Sequence, residues 1–202
     1  MEQLEKIYTE LEQEQESWIS ASPFRCPSGC GRCCETYMPE VLEIEAIYMA
    51  AYFLSENKEF SHTNPSQEAF KERGCFLYDA SGLYHCRVYV ARPLICRLFG
   101  FSADRDKNGS LRFAPCRYTE PKLKEGGSIG FDKELPQKKQ WTEQELKAYF
   151  ATLPPEMARY ARWVELLYPV GAGNYEPLPI ALPKAYQKLC YYLRFPPEQN
   201  AA

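Results

Sequence analysis

The chain has 202 residues, of which 45% are hydrophobic and 25% charged, with a formal net charge of −3. It is long enough to bury a core without covalent staples, and its acidic balance excludes a general nucleic-acid binder, which is basic as a whole. No stretch reaches the roughly 18 apolar residues of a membrane span, and no polybasic run is present to hold a membrane surface.

The opening MEQLEKIYTELEQEQESWIS is charged throughout. It has neither the cationic start nor the apolar run of a secretory signal, so the chain reads as cytoplasmic. Leu4, Ile7, Tyr8, Leu11, Trp18 and Ile19 share a helical face, which predicts an amphipathic helix within residues 1–23 that docks on the protein's own core. CPSGCGRCC follows, with four thiols in residues 26–34. In a reducing compartment so dense a cluster is a metal site rather than a disulfide framework.

Pro39 suits the first turn of a helix that continues through EVLEIEAIYMAAYFLSENKE. Asn64 as N-cap, Pro65 in the first turn and Gly74 past the end mark a further helix. The period then changes. Residues 75–86 predict a hairpin turning at Asp79–Gly82. That register sets Cys75 opposite Cys86, with Cβ atoms about 4.5–5.5 Å apart.

RPLICRLF, residues 92–99, predicts a short helix with Pro93 in its first turn, Cys96 along it and Gly100 as its stop. Asn108-Gly109 predicts a second hairpin through a two-residue turn, returning Cys116 beside Phe101. Residues 119–141 form a polar connecting loop. Thr142 and Glu145 make a capping box for a helix to about Leu153. Helices near residues 155–168 and 183–194 complete a C-terminal part, 142–202, that packs on the same domain. The predicted fold class is mainly α with two short β-hairpins, a small α+β domain in which an irregular cysteine-cluster region, 24–118, is packed with helices.

Eight of nine cysteines fall in that region: Cys26, Cys30, Cys33, Cys34, Cys75, Cys86, Cys96 and Cys116. Cys30 and Cys33 have the two-residue spacing that aims both sulfurs at one ion. Cys33 and Cys34 are adjacent, and adjacent side chains diverge in extended backbone, so the two serve different ions, or share a multi-ion cluster, or one is not a ligand. Eight thiolates suit two four-cysteine zinc sites or an iron-sulfur centre with spare ligands, and tetrahedral sulfur serves both metals. Cys190, among Leu189, Tyr191 and Tyr192, reads as a small buried apolar residue.

Arg25, Arg32, Arg87, Arg97 and Arg117 each adjoin one of these cysteines. From Cys75 to Arg117, six Arg and one Lys against three Asp leave an excess of four positive charges in an otherwise acidic chain. Guanidinium groups lower thiol pKa values and donate hydrogen bonds to sulfur, which makes Arg87, Arg92, Arg97 and Arg117 candidates to surround the thiolates. His85 would point away from Cys86 on an extended strand, and His62 falls in a polar loop. No nucleophilic triad or phosphate-binding glycine loop is recognisable.

Cys30, Cys33 and Cys34, then Cys75-Phe76-Leu77, then Cys86-Arg87-Val88-Tyr89 with Arg92-Pro93 and Cys96-Arg97, resemble the CxxCxxCC cysteine-cluster family over roughly residues 24–118. The resemblance implies chelation of zinc or iron. Related patterns in flagellin lysine methylases extend it towards protein modification. One departure is that three residues, not two, separate Cys26 from Cys30. The resulting Cys26-x3-Cys30-x2-Cys33 matches the spacing by which radical S-adenosylmethionine enzymes hold a four-iron cluster. Those enzymes usually carry an aromatic where this chain has Arg32, and set the motif after a barrel strand.

The expected function is metal binding by clustered thiolates in a structural or metal-handling role, with a metal ion as partner and another protein as a candidate second partner. An iron-sulfur redox or protein-modifying enzyme is the alternative, and whether the chain is an enzyme stays open.

Overall fold

The computed structural model describes residues 1–56, 74–121, 139–168 and 173–194. Helix α1 spans Glu2–Ala21 and buries Leu4, Tyr8, Leu11 and Trp18, as its apolar spacing requires. It is followed by β1 (Phe24–Arg25), α2 (Arg32–Thr36), β2 (Glu40–Val41) and α3 (Glu43–Ser55). A 3-10 turn at Tyr89–Ala91 leads into α4 (Leu94–Leu98), then β3 (Ala103–Arg105), β4 (Leu111–Phe113) and β5 (Glu120–Pro121). The remainder is β6 (Trp141–Thr142), α5 (Glu143–Tyr149), α6 (Met157–Glu165), β7 (Glu176–Pro177) and α7 (Leu178–Arg194).

The strands are short and antiparallel, pairing as β1 with β5, β2 with β7, and β3-β4-β6. Helices with small antiparallel pairings make a small α+β fold, as the sequence predicts. Among the described residues no strand-helix-strand unit closes a parallel sheet, the setting a radical-enzyme barrel would need.

Three apolar clusters hold these elements. Helices α3 and α7 pack with residues 75–88 around Met49, Phe53, Leu77, Val88 and Leu182. Helices α1, α4 and α6 meet at Leu4, Leu11, Leu42, Leu98 and Tyr160. The end of α1 and the β3-β4 hairpin enclose an aromatic group in which Trp18 lies 5.3 Å from Phe113 and 5.2 Å from Phe150, edge to face.

Polar groups link the first two clusters. Glu45 is buried, and its carboxylate accepts from Tyr8 Oη at 2.9 Å, Leu42 N at 2.9 Å and Leu94 N at 2.7 Å. One side chain therefore fastens α1 and the N-termini of both α3 and α4, whose orphan amides need acceptors. Arg97 is buried too. It donates to the Arg92 carbonyl at 2.7 Å, the Val90 carbonyl at 2.5 Å and Glu12, while its guanidinium lies 4.1 Å from the Tyr8 ring centre. Gln15, a polar residue on the buried stripe of α1, donates to the Arg97 carbonyl at 2.6 Å.

Several expectations need correction. Pro39 does not enter the first helical turn. Residues 40–41 pair with 176–177, so α3 starts at Glu43, where the Glu45 carboxylate can cap Leu42. Residues 75–86 form no two-stranded ladder. A turn, Tyr78 N to the Cys75 carbonyl at 3.0 Å, curls the first arm, and pairing is reduced to a bridge between Tyr78 and Cys86. That register is displaced by three residues, so Cys86 faces Tyr78 rather than Cys75.

The second hairpin exists, but its register is displaced by one, with Ala103 opposite Phe113. Its loop has three residues. Gly109 is left-handed at φ +79°, its amide donates to the Asp106 carbonyl at 2.8 Å, and the Asp106 amide donates to the Ser110 carbonyl at 3.0 Å, the type I turn plus left-handed residue favoured at that length. The Thr142–Glu145 capping box is present, but α5 ends at Tyr149 rather than near Leu153. Helix α7 starts at Leu178, five residues before the expected start, because the Pro39 carbonyl receives the Leu178 amide at 2.9 Å. It carries Pro183 internally. The helix signalled by Asn64 and Pro65, and His62, lie outside the described residues.

Glu45→Ala leaves three buried donors without their acceptor and is expected to lower unfolding free energy by about 3 kcal/mol. Glu45→Gln, which keeps an acceptor oxygen, is expected to lose less. Urea unfolding of both variants checks this, and equal stability of Glu45→Ala and the parent would contradict it.

Candidate metal centre

The loop CPSGCGRCC is shaped by its glycines. Cys30 N donates to the Pro27 carbonyl at 3.1 Å, and both Gly29 (φ +64°) and Gly31 (φ +55°) are left-handed, a conformation costly for other residues. A Cβ on Gly31 would lie 2.6 Å from the His85 Cβ. His85, itself left-handed at φ +51°, packs on this loop. Cys33 and Cys34 then fall on the first turn of α2, not in extended backbone. On a helical turn adjacent side chains need not oppose each other, and both line the same cavity.

Each remaining segment is led to this loop by a backbone contact. Cys75 N donates to the Cys34 carbonyl at 2.7 Å, an approach that Gly74 alone permits: a Cβ there would lie 2.3 Å from the Glu35 carbonyl oxygen. The Tyr78 bridge brings Cys86 back, and α4 presents Cys96. Pairing of β1 with β5 fixes the chain just before Cys26 to the chain just after Cys116, and the Cys116 Cβ lies 3.2 Å from where a Cβ on Gly100 would stand.

The result is one cavity of about 350 Å³, and all eight predicted cysteines line it. Cys190 is half-buried on α7 and does not line it, so the expectation of a buried core residue is too strong there. Among the described residues no three His, Cys, Asp or Glu side chains converge on a single point in the way a bound ion requires. The sulfurs are distributed over the cavity wall.

Packing divides them. Cys75 is buried, and Cys34 and Cys86, both half-buried, pack against the α3-α7 cluster around it. Cys96 joins this inner group, its thiol raised first by burial and then by the sulfurs of Cys75 and Cys86. Burial likewise raises Cys86, and pushes Cys75 up to about 11. Cys34 is raised strongly, chiefly because its proton is held in the bond to the Cys33 sulfur.

On the outer side Cys26 and Cys33 are exposed, and Cys30 and Cys116 half-buried. Cys26 is raised to about 11 by burial first, then by the sulfurs of Cys30, Cys33 and Cys116. Cys33 is lowered to about 6 because Cys34 and two backbone amides donate to its sulfur, outweighing its burial.

The arginines are placed less uniformly. Arg92 and Arg32 line the cavity. Arg92 is held by a bond from Nε to the Tyr89 carbonyl at 3.0 Å and stacks 3.8 Å from that ring, and its charge favours the Cys33 thiolate and partly offsets the rise that burial causes at Cys86 and Cys96. Arg32 pairs with Glu35 at 3.0 Å. Arg97 donates to Glu12 and to carbonyls rather than to sulfur, Arg87 lies over Phe53, Arg117 over Tyr118, and Arg25 donates to the Ser22 and Phe24 carbonyls.

The apolar part of the site was not read from sequence. Met49, Leu77 and Val88 form its inner wall, and the exposed Tyr37, Leu83, Tyr84 and Phe99 stand at its mouth. Tyr84 stacks on Tyr89 at 4.1 Å. The glycines between the cysteines were the available signal for the loop; nothing local marks the aromatic mouth.

The donor set fits a thiophilic ion such as zinc or iron: eight sulfurs, few competing oxygens and two flanking guanidinium groups, Arg32 and Arg92. Residues 25–122 match the model of the family named CxxCxxCC, described as a putative zinc- or iron-chelating domain. No curated protein and no solved structure matches the chain.

In metal-free protein, iodoacetamide at pH 7 is expected to label Cys33 first, at least about tenfold faster than Cys75, since the thiolate is the nucleophile. Labelling of Cys33 should slow as pH falls through about 6. Mass spectrometry of timed samples checks the order, and Cys75 reacting alongside Cys33 would contradict it.

Proposed function

Residues 25–122 match the CxxCxxCC family model, and we propose that the chain binds zinc or iron through the thiolates of Cys26, Cys30, Cys33, Cys34, Cys75, Cys86, Cys96 and Cys116, in a structural or metal-handling role. The observation that carries this reading is that four separate segments deliver all eight sulfurs to one cavity. Closed four-sulfur sites call for about two zinc ions per chain. Binding would draw the wall sulfurs inward and displace their protons, offsetting the cost of thiols that burial keeps neutral.

Arg92 is the cation placed to stabilise the thiolates. Arg87, Arg97 and Arg117 support the segments that bear cysteines, through the stacking and carbonyl contacts described above. The cytoplasm, a reducing compartment, suits such thiols.

A second reading is favoured by the cavity itself. About 350 Å³ lies within the range of small-molecule sites, and the aromatic mouth opens beside the sulfurs. An iron-sulfur redox or protein-modifying enzyme would use such space for a substrate.

Elemental analysis and an optical spectrum on anaerobically purified protein separate the two. About two zinc per chain and no visible absorption are expected for closed thiolate sites; iron with labile sulfide would favour the enzyme. Cys86→Ser is expected to lose metal and part of the fold, because a site assembled from distant segments couples binding to folding. Cys190→Ala should keep its full metal content. Metal retained in Cys86→Ser, or lost in Cys190→Ala, would show that the ligand set is misassigned.

A further inference from the structure

The eight sulfurs stand in two environments, and we propose that the inner set, Cys34, Cys75, Cys86 and Cys96, retains its metal as part of the fold, while the outer set, Cys26, Cys30, Cys33 and Cys116, exchanges metal with thiol-bearing partners. This rests on the metal-binding reading above and deepens it: one domain has both a structural ion and an ion carried as cargo.

The inner sulfurs are tied from several sides. Cys75 is bonded through its backbone to Cys34, Cys86 is bridged to Tyr78, and Arg87 N donates to the Leu77 carbonyl at 3.0 Å. Cys34, Cys75 and Cys86 lie against the apolar cluster of α3 and α7. These segments cannot move apart to free their sulfurs without opening that core, the most stable part of a fold.

The outer sulfurs are tied by less. Cys26 and Cys30 sit on a loop with two left-handed glycines, and the two-residue pairing of β1 with β5 is what holds Cys26 near Cys116. Cys26 and Cys33 are exposed residues, whereas no inner cysteine is, so an approaching thiol meets the outer set first. The adjacency of Cys33 and Cys34 then has a use. They stand on one turn of α2, and each serves a different set.

Exchange at the outer set requires no electron transfer. An acceptor thiol forms a bond to the metal as one cysteine-metal bond breaks, and the proton displaced from the acceptor passes to the freed cysteine. Repetition of that step moves the ion to the acceptor with its charge unchanged. The exposed Tyr37 and Phe99, stacked at 6.4 Å, border the cavity where such a partner would arrive.

The test is chelator competition on the intact zinc-loaded protein, following release to a colorimetric chelator in stopped flow. Two phases of equal amplitude are expected, the first at least about tenfold faster than the second. The double variant Cys26→Ser, Cys116→Ser should lose the fast phase, keep the slow ion and remain folded by circular dichroism. Single-phase release of all metal from the parent would overturn the division, as would loss of both ions from a folded double variant. A parent protein that holds no zinc or iron would overturn the metal-binding reading itself, an outcome distinct from single-phase release.

Discussion

The buried carboxylate of Glu45 is the constraint on which the rest of the arrangement depends. A carboxylate away from water must have its lone pairs occupied, and the three donors that occupy them come from α1, the start of α3 and the start of α4. Helix α4 has five residues, too few to hold itself in water, yet it presents Cys96. Its direction is set at one end by Glu45 accepting the Leu94 amide and at the other by Gln15 reaching the Arg97 carbonyl. The cavity is thus positioned by polar contacts made more than a helix length away in sequence.

Arg97 extends this control to the Arg92 turn. Its guanidinium holds the Val90 and Arg92 carbonyls together, fixing the 3-10 turn from which Arg92 faces the thiols. A count of charge along residues 75–117 suggests that the arginines neutralise sulfur. In the fold, Arg97 is matched by Glu12, Arg105 by Glu156 and Arg112 by Asp106. Two of those carboxylates come from outside the counted segment, which is why a local sum overstates the charge left for the site.

How much was legible follows the range of the interactions. Helix α1 and the Thr142 capping box rest on contacts within a few residues and are where expected, and the chain also turns at Asn108-Gly109, though through a loop one residue longer and in a register displaced by one. Cys75 and Cys86 illustrate the opposite case. Both reach the cavity, but by a curled turn and a three-residue shift in register that no local pattern signals. Pro39 misled for a similar reason, since whether it begins a helix is settled by residues 176–178 pairing across from it. Of the candidate site, the cysteines were legible because their chemistry is carried by residue type. The aromatic mouth was not, because Tyr37, Tyr84 and Phe99 resemble any other partly exposed aromatic until the fold gathers them.

The division of sulfurs into two environments follows from the same geometry. A site built into the core gains stability from everything packed around it, and for the same reason exchanges slowly. A site on a glycine-shaped loop gives up that support and becomes accessible. Cys33 and Cys34 bring the two regimes together within one helical turn. Cys33 is the exposed member of the pair, and its neighbour, packed on the apolar cluster, is anchored where an ion, once bound, would be least free to leave.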